Sequence, residues 1–292
     1  MAGRPGGSGC ARRLRFGASP IGAALVICLF VTSPLNAADK GGGDRAAKEA
    51  ARRAIPWRVL RGEDRQAVDR IVGDATLYRQ LPTRVIDCDP ELFAYLVDHP
   101  EVVVDVWRVM GVSRLELEAK GPGTYRATDA AGAVGDVRVL HREGGGADPL
   151  RLLVLADGAY QTPPMPATIR GSSVLLMRAD ATQEANGRTY MTVRLDSFVR
   201  FDRPATELVA RTLKPLIVRT ADHNFIETMR FVSLFSRTAE TNPDGMQRLA
   251  SRLDGVDATT RREFALACHQ TATRSERRQR ARVAVRQPAN WR

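Results

Sequence analysis

The stretch from Pro204 to Pro243 reads PATELVARTLKPLIVRTADHNFIETMRFVSLFSRTAETNP. Its apolar residues recur at intervals of three and four, which is the spacing of one face of an α-helix. They are Leu208, Val209, Leu213, Leu216, Ile217, Phe225, Met229, Val232 and Phe235. Pro204 suits the first turn of a helix, where no backbone N–H is needed, and Asn242-Pro243 is typical of a helix end. The sequence therefore predicts one long helix across this stretch.

This predicted helix is too long to stay straight within a small domain. About 40 residues at 1.5 Å per residue would span about 60 Å. Pro215 removes a backbone hydrogen bond inside the pattern, at a cost of about 3 kcal/mol in a straight helix. The polar run 222–224 has weak helix propensity. A break or kink is therefore expected at one of these two places.

Before the helix, apolar and polar residues alternate in a series of short segments, which is the period of a β-strand. The segments are Ser113–Ala119, Thr124–Asp129, Val134–Arg142, Leu150–Ala156, Ser172–Ala179 and Thr189–Phe201. Asn186-Gly187 between the last two is a strong hairpin signal. About six consecutive strands with short links favour an antiparallel meander over βαβ units. We therefore expect an α+β fold in which a curved antiparallel sheet is crossed by the long helix.

The region before the sheet is predicted to be mostly helical. A glycine-containing linker with a frayed helix is expected over 38–60, and a better helix over Arg61–Gln80. Thr83–Cys88 reads as a short strand. Asp89-Pro90 then begins a short helix, because Asp caps a helix and Pro fits its first turn. Glu101–Met110 is predicted to form a second short helix.

The N-terminal residues 1–37 have the pattern of a secretory signal peptide. Arg4, Arg12, Arg13 and Arg15 precede the apolar run Ile21–Val31, and a small-residue cleavage site lies near Ala37. The apolar run is shorter than the ~20 residues of a spanning helix. An exported protein, periplasmic or secreted, is therefore predicted, and an uncleaved membrane anchor is the alternative. After cleavage Cys88 and Cys268 remain, either as a disulfide or as two buried thiols.

The formal net charge of +11 is concentrated at the two ends of the chain. Apart from the signal segment, its main source is residues 272–292, with seven arginines and one glutamate. We expect 271–292 to form a disordered basic tail. Five of its arginines are candidates for docking on an anionic membrane surface, namely Arg274, Arg277, Arg278, Arg280 and Arg282. The alternative is a solvated extension without function, and export argues against nucleic acid as a partner.

The order of strand, two short helices, meander and long helix resembles the START-like superfamily of polyketide cyclases and lipid-transfer domains. The resemblance runs from about Thr83 to Ala239. It rests on Thr83–Cys88, Asp89–Phe93, His99-Pro-Glu101, Trp107 before Gly121-Pro-Gly123, and Phe198–Phe201 leading into Pro204. It implies a helix-grip domain over 61–270, with a core at 83–239, in which six or seven strands grip the C-terminal helix.

The same resemblance implies a space between sheet and helix that holds a hydrophobic small molecule or lipid without catalysis. The candidates for its wall are Trp107, Tyr125, Tyr190, His223, Phe225 and Glu227. His223 and Glu227 are four residues apart and share a helix face, so they could orient a ligand head group or act as acid and base. The alternative for this pair is a surface contact or a kink stabiliser. Large side chains that fill the space would instead favour an envelope scaffold protein.

The sequence shows no pattern of a metal site, a cofactor site or an activated nucleophile. Its four histidines lack H-x-x-x-H spacing. Ser172 and Ser173 lack the flanking glycines of a nucleophile elbow. No catalytic residue, metal or cofactor is therefore predicted. A cyclase- or hydrolase-type enzyme remains the third hypothesis, after the binding domain and the scaffold protein.

Overall fold

The computed structural model describes residues 41–130, 132–161, 168–202 and 214–286, without the side chains of 41–44, 214–217 and 282–286. The predicted signal segment 1–37 and its cleavage site lie outside these ranges. So do the first ten residues of the predicted long helix, 204–213, and the last six residues of the chain.

The described ranges contain helices and strands in the following order. They are α1 Gly41–Ala54, α2 Gly62–Gly73, β1 Leu77–Gln80, β2 Arg84–Asp87, α3 Pro90–Asp98, α4 Pro100–Val109, β3 Glu116–Gly121, β4 Thr124–Thr128, β5 Ala133–Gly145, β6 Asp148–Tyr160, β7 Ile169–Gln183, β8 Thr189–Phe201, α5 Lys214–Thr241, α6 Pro243–Ala250 and α7 Ala258–Arg286.

All the strands belong to one curved, open antiparallel sheet with the order β1-β8-β7-β6-β5-β4-β3. Strand β2 also pairs with β8. The predicted meander is confirmed, since β3 to β8 are neighbours in chain order. The hairpin at Asn186-Gly187 is also present, and Gly187 adopts the positive φ of 69° that its turn requires. The fold is therefore α+β and consistent with the predicted helix-grip class.

Each face of this sheet is covered by helices, because the long strands are apolar on both sides. In β6, Leu152 and Val154 face one core, whereas Leu153 and Leu155 face the other. Helices α1 and α2 cover the second face. Helices α3 to α7 cover the first, larger face. The sheet is thus the middle layer of the molecule.

The N-terminal region differs from its prediction in two places. In place of a linker over 38–60, α1 packs on the sheet through Ala51, and Ile55 and Leu60 after it are also buried. Helix α2 ends at Gly73, and the last part of the predicted helix is strand β1. Tyr78 of β1 is buried, and its hydroxyl donates to Asp196 on β8 at 2.7 Å. This strand brings the sheet to eight strands instead of six or seven.

Helix α5 continues through 222–224, so the break or kink predicted at Pro215 or at this polar run does not take the form of a break at 222–224. The helix tolerates these residues because each meets a different environment. Asp222 accepts from Arg79 Nε at 3.0 Å, His223 is exposed, and Asn224 is buried. The alternative break at Pro215 lies beside residues outside the described ranges and stays a prediction.

Helix α7 corrects the prediction of disorder from residue 271 onward, because it runs to Arg286. Its buried face follows helical spacing but consists largely of small or polar residues. These are Phe264, Cys268, Thr271, Ala272 and Ser275. Such residues give no apolar period in the sequence, although they let the helix approach its neighbours closely. Phe264 stacks on Phe235 of α5, with ring centroids 5.7 Å apart.

The carboxylate of Asp89 joins the start of α3 to the end of α7. It caps α3 by accepting from the backbone N–H of Leu92 at 3.1 Å. It also accepts from Arg274 at 2.7 and 3.0 Å, and Arg278 lies 3.5 Å away. Burial alone would raise the pKa of Asp89, but the hydrogen bonds and charge of Arg274 outweigh it, so the pKa lies below its ordinary value.

Replacing Arg274 with alanine should destabilise the protein, since it leaves the buried Asp89 carboxylate with weaker compensation. We expect a loss of about 2–3 kcal/mol in the free energy of unfolding. This is less than the roughly 3–5 kcal/mol lost when a buried charge is left without any partner, because Arg278 and the Leu92 N–H remain. Urea denaturation at pH 7 measures this loss. Arg277→Ala, at an exposed neighbouring position on α7, is the control and should change stability by less than about 0.5 kcal/mol.

The stabilisation from Asp89 should disappear in acid. Its pKa is lower in the folded state than in the unfolded chain, so its contribution is complete above about pH 4–5 and is lost as the pH falls through the folded pKa. The difference in unfolding free energy between the native protein and Asp89→Asn should therefore shrink between pH 6 and pH 3.5. Urea titrations across this range test this, and a constant difference would contradict it.

Candidate functional site

An apolar cavity of about 80 Å³ lies between the sheet and α5. The sheet contributes most of one wall through Leu152, Val154, Leu175 and Met177. Helix α5 contributes the opposite wall through Phe225, Thr228, Met229 and Val232. Helices α3 and α4 close the cavity at one side with Phe93, Leu96, Val97, Pro100 and Val103.

The cavity exists because alternating strand residues meet one face of a helix. Leu152 and Val154 are two apart on β6, and therefore point to the same face of the sheet. On α5, residues spaced by three and four positions form the stripe that faces them. Apart from Tyr125 and Thr228, the residues that line the cavity are apolar. This lining suits nonpolar groups and offers no charged residue.

Two of the six residues predicted for this site line the cavity, namely Tyr125 and Phe225. The ring of Tyr125 forms part of the wall, whereas its hydroxyl donates to the carbonyl oxygen of Asp98 at 3.4 Å. Burial raises the pKa of Tyr125, so it stays a neutral phenol at physiological pH. Phe225 on α5 is 4% exposed.

The other aromatic candidates lie elsewhere. Trp107 is buried in the core, where it packs edge-to-face on Phe231 with ring centroids 5.7 Å apart. Tyr190 is half-buried beside the β7–β8 hairpin, and its hydroxyl accepts from Asn186 at 3.3 Å. Neither side chain lines the cavity. Both residues therefore support the fold around the site rather than its wall.

The predicted pair His223 and Glu227 does not line the cavity either. His223 is exposed on α5. Glu227 pairs with Arg230 at 2.8 Å across one helical turn. The helical pattern placed these two residues on one face, as predicted, but that face is not the one that meets the sheet. The structural alternative, a surface contact, fits this arrangement.

Sequence reasoning missed most of the wall, including its one threonine. Thr228 lies three residues after Phe225 and four before Val232, so the same spacing that identified Phe225 also places Thr228 on the cavity side. Thr228 is 3% exposed, and its hydroxyl has no hydrogen-bond partner among the described residues. The amide nitrogen of Asn224, one turn earlier and also 3% exposed, has none there either.

Cys88 and Cys268 are two separate, buried free thiols, so the disulfide alternative does not apply in this structure. Burial raises the pKa of each thiol to about 12. Because the thiolate is the reactive form, neither cysteine is suited to act as a nucleophile near neutral pH. Within the described ranges, no cluster of three or more metal-ligating side chains is found. No helix in that part of the chain is long and apolar enough to cross a membrane.

Comparisons with known proteins give only weak likenesses. No family model and no curated protein matches the chain. A hypothetical protein from Helicobacter pylori matches 70% of this chain and 99% of its own, with 9% identity and a TM-score of 0.35. The di-domain ARO/CYC protein BexL from the BE-7585A biosynthetic pathway matches 67% of this chain at 13% identity, with a TM-score of 0.21. The match spans 55% of that protein's length. At such scores neither likeness carries an argument about function.

The two buried thiols should resist a polar thiol reagent in the folded protein. In a chain that carries Cys10→Ser and Cys28→Ser, Ellman's reagent at pH 8 should react negligibly over minutes, since burial disfavours the thiolate. In 6 M guanidinium chloride two thiols per chain should react at once. Fewer than two without a reductant would show that Cys88 and Cys268 are joined.

Proposed function

We propose that this protein is a non-enzymatic binding domain for a small hydrophobic molecule, similar in kind to START-like proteins. The observation that carries the proposal is the apolar cavity between the sheet and α5, where a helix-grip fold would hold its ligand. Binding there would be driven mainly by apolar area removed from water, at about 25 cal/mol per Å².

The size of the cavity limits what it holds in this conformation. Its volume of about 80 Å³ is well below the roughly 300–1,000 Å³ of pockets for drug-sized ligands. A compact molecule of about one ring therefore fits better than a lipid. Met177 on the sheet and Met229 on α5 face the cavity from opposite sides, and methionine repacks more easily than other apolar residues. Their movement would be the simplest way to admit a larger ligand.

The small volume also supports a second candidate, an envelope scaffold protein whose core is nearly filled. In that case α1, α2 and α7 would serve as contact surfaces, and the basic C-terminal region would meet an anionic membrane. Of the five arginines proposed for that contact, Arg274 and Arg278 are engaged with Asp89. The membrane proposal therefore rests on Arg277, Arg282 and Arg280, although Arg280 lies 3.6 Å from Glu276, together with export directed by residues 1–37.

A cavity-filling variant separates the two candidates. Leu175→Phe should place additional volume in the cavity and abolish ligand uptake, at a cost to stability of about 1–3 kcal/mol. Leu234→Phe, at a position on α5 that is 61% exposed, is the matched control and should bind as the native protein does.

The measurement is native mass spectrometry of delipidated protein after exposure to a mixed lipid extract and to a set of single-ring apolar molecules. The binding proposal predicts that the native protein and Leu234→Phe retain a ligand that Leu175→Phe loses. Bare protein in all three cases would favour the scaffold.

A further inference from the structure

Thr228 is the one polar residue that α5 contributes to the cavity lining. In a helix, a threonine usually satisfies its hydroxyl by donating to the carbonyl oxygen four residues earlier. Thr238 and Thr241 of the same helix do so at 2.9 and 3.0 Å, as does Thr271 of α7 at 2.9 Å. Thr228 makes no such bond. Its hydroxyl is therefore available to a molecule bound in the cavity.

Asn224 is buried one helical turn before Thr228 and carries a second donor, although it is not itself among the residues that line the cavity. Residues four apart on a helix have Cβ atoms about 5–6 Å apart, so the amide group of Asn224 and the hydroxyl of Thr228 lie on one face of α5. The amide nitrogen of Asn224 is also without a partner in the described ranges. Each buried polar group left unpaired costs about 1–3 kcal/mol. Two such groups on consecutive turns, of which Thr228 lines an apolar cavity, destabilise the core unless a bound molecule pairs with them.

The rest of the wall restricts the charge of that molecule. No lysine, arginine, histidine, aspartate or glutamate lines the cavity. A carboxylate or an ammonium group buried there would have no opposite charge to compensate its desolvation. A neutral oxygen atom with two lone pairs can instead accept from both donors. The geometry and the chemistry of the wall thus agree on one class of ligand.

We propose that the cavity binds a neutral, compact, largely apolar molecule with one carbonyl-type oxygen, which accepts a hydrogen bond from the Thr228 hydroxyl and from the Asn224 amide. This inference rests on the proposed function, because it names the ligand class of the same cavity. It also assigns a role to two polar residues that otherwise weaken the core.

The test compares cyclopentanone with cyclopentane, a matched pair that differs in the carbonyl oxygen. Dissociation constants are measured by NMR from the shifts of Met177 and Met229 methyl groups in protein labelled at methionine methyls. Thr228→Val should weaken cyclopentanone binding about fivefold, the effect of one neutral hydrogen bond, and leave cyclopentane binding within twofold. Asn224→Leu should act in the same direction.

Two matched variants make this result specific. Thr228→Ser keeps the hydroxyl and should keep the preference for cyclopentanone. Thr238→Val removes a hydroxyl that is exposed and bonded to Leu234, and should change neither dissociation constant. A second measurement needs no ligand: Thr228→Val should raise the thermal midpoint of the ligand-free protein by about 2 °C or more, since an unpaired buried group is removed.

The outcomes separate this inference from the proposed function. If both probes bind and Thr228→Val weakens both equally, the cavity binds apolar molecules but the hydrogen-bonding role is wrong. A lower thermal midpoint in Thr228→Val would also overturn the inference, because it would show that the hydroxyl has a structural partner. If neither probe shifts the methionine signals, the cavity does not bind small molecules and both proposals fail.

Discussion

The structure depends on a sheet that is apolar on both faces, so each face must be covered by other elements. In β6 and β7, consecutive residues alternate between two cores, so neither face can be left in water. Helices α1 and α2 cover one face, and helices α3 to α7 cover the other. This constraint explains why a chain with the strand order of a simple meander carries additional helices at both ends. It also explains the apolar lining of the cavity, because the face of the sheet that meets α5 is itself apolar.

Local patterns in the sequence were sufficient for the elements that make local contacts. The meander was predicted from alternation and turns, and strand β8 was located at the observed bounds, because each strand pairs with its neighbour in the chain. Two elements depend on distant contacts and were missed. Strand β1 is four residues long and pairs with β8, more than one hundred positions away. The C-terminal half of α7 is bonded to the carboxylate of Asp89, which lies 185 positions away from Arg274. The hydrophobic periodicity of the neighbouring sequence indicates neither of these two contacts.

The candidate site shows the same division between what the sequence predicts and what it does not. Helical spacing identified the stripe of α5 that meets the sheet, and Phe225 was found by it. The acid–base chemistry of His223 and Glu227 predicts a role in the site, yet neither side chain lines the cavity. Of the aromatic candidates, Trp107 packs in the core and Tyr190 contacts the β7–β8 hairpin. Thr228, the polar residue that α5 contributes to the lining, is not predicted because threonine has no strong chemical signature in a sequence.

The carboxylate of Asp89 links helix α7 to the wall of the cavity. It begins the helix whose next turns supply Phe93, Leu96 and Val97 to the wall, and it is held by arginines near the far end of the chain. Helix α7 therefore supports that wall through its contacts with Asp89. A partner that displaced Arg274 and Arg278 from Asp89 would weaken the support of a cavity wall that it does not touch.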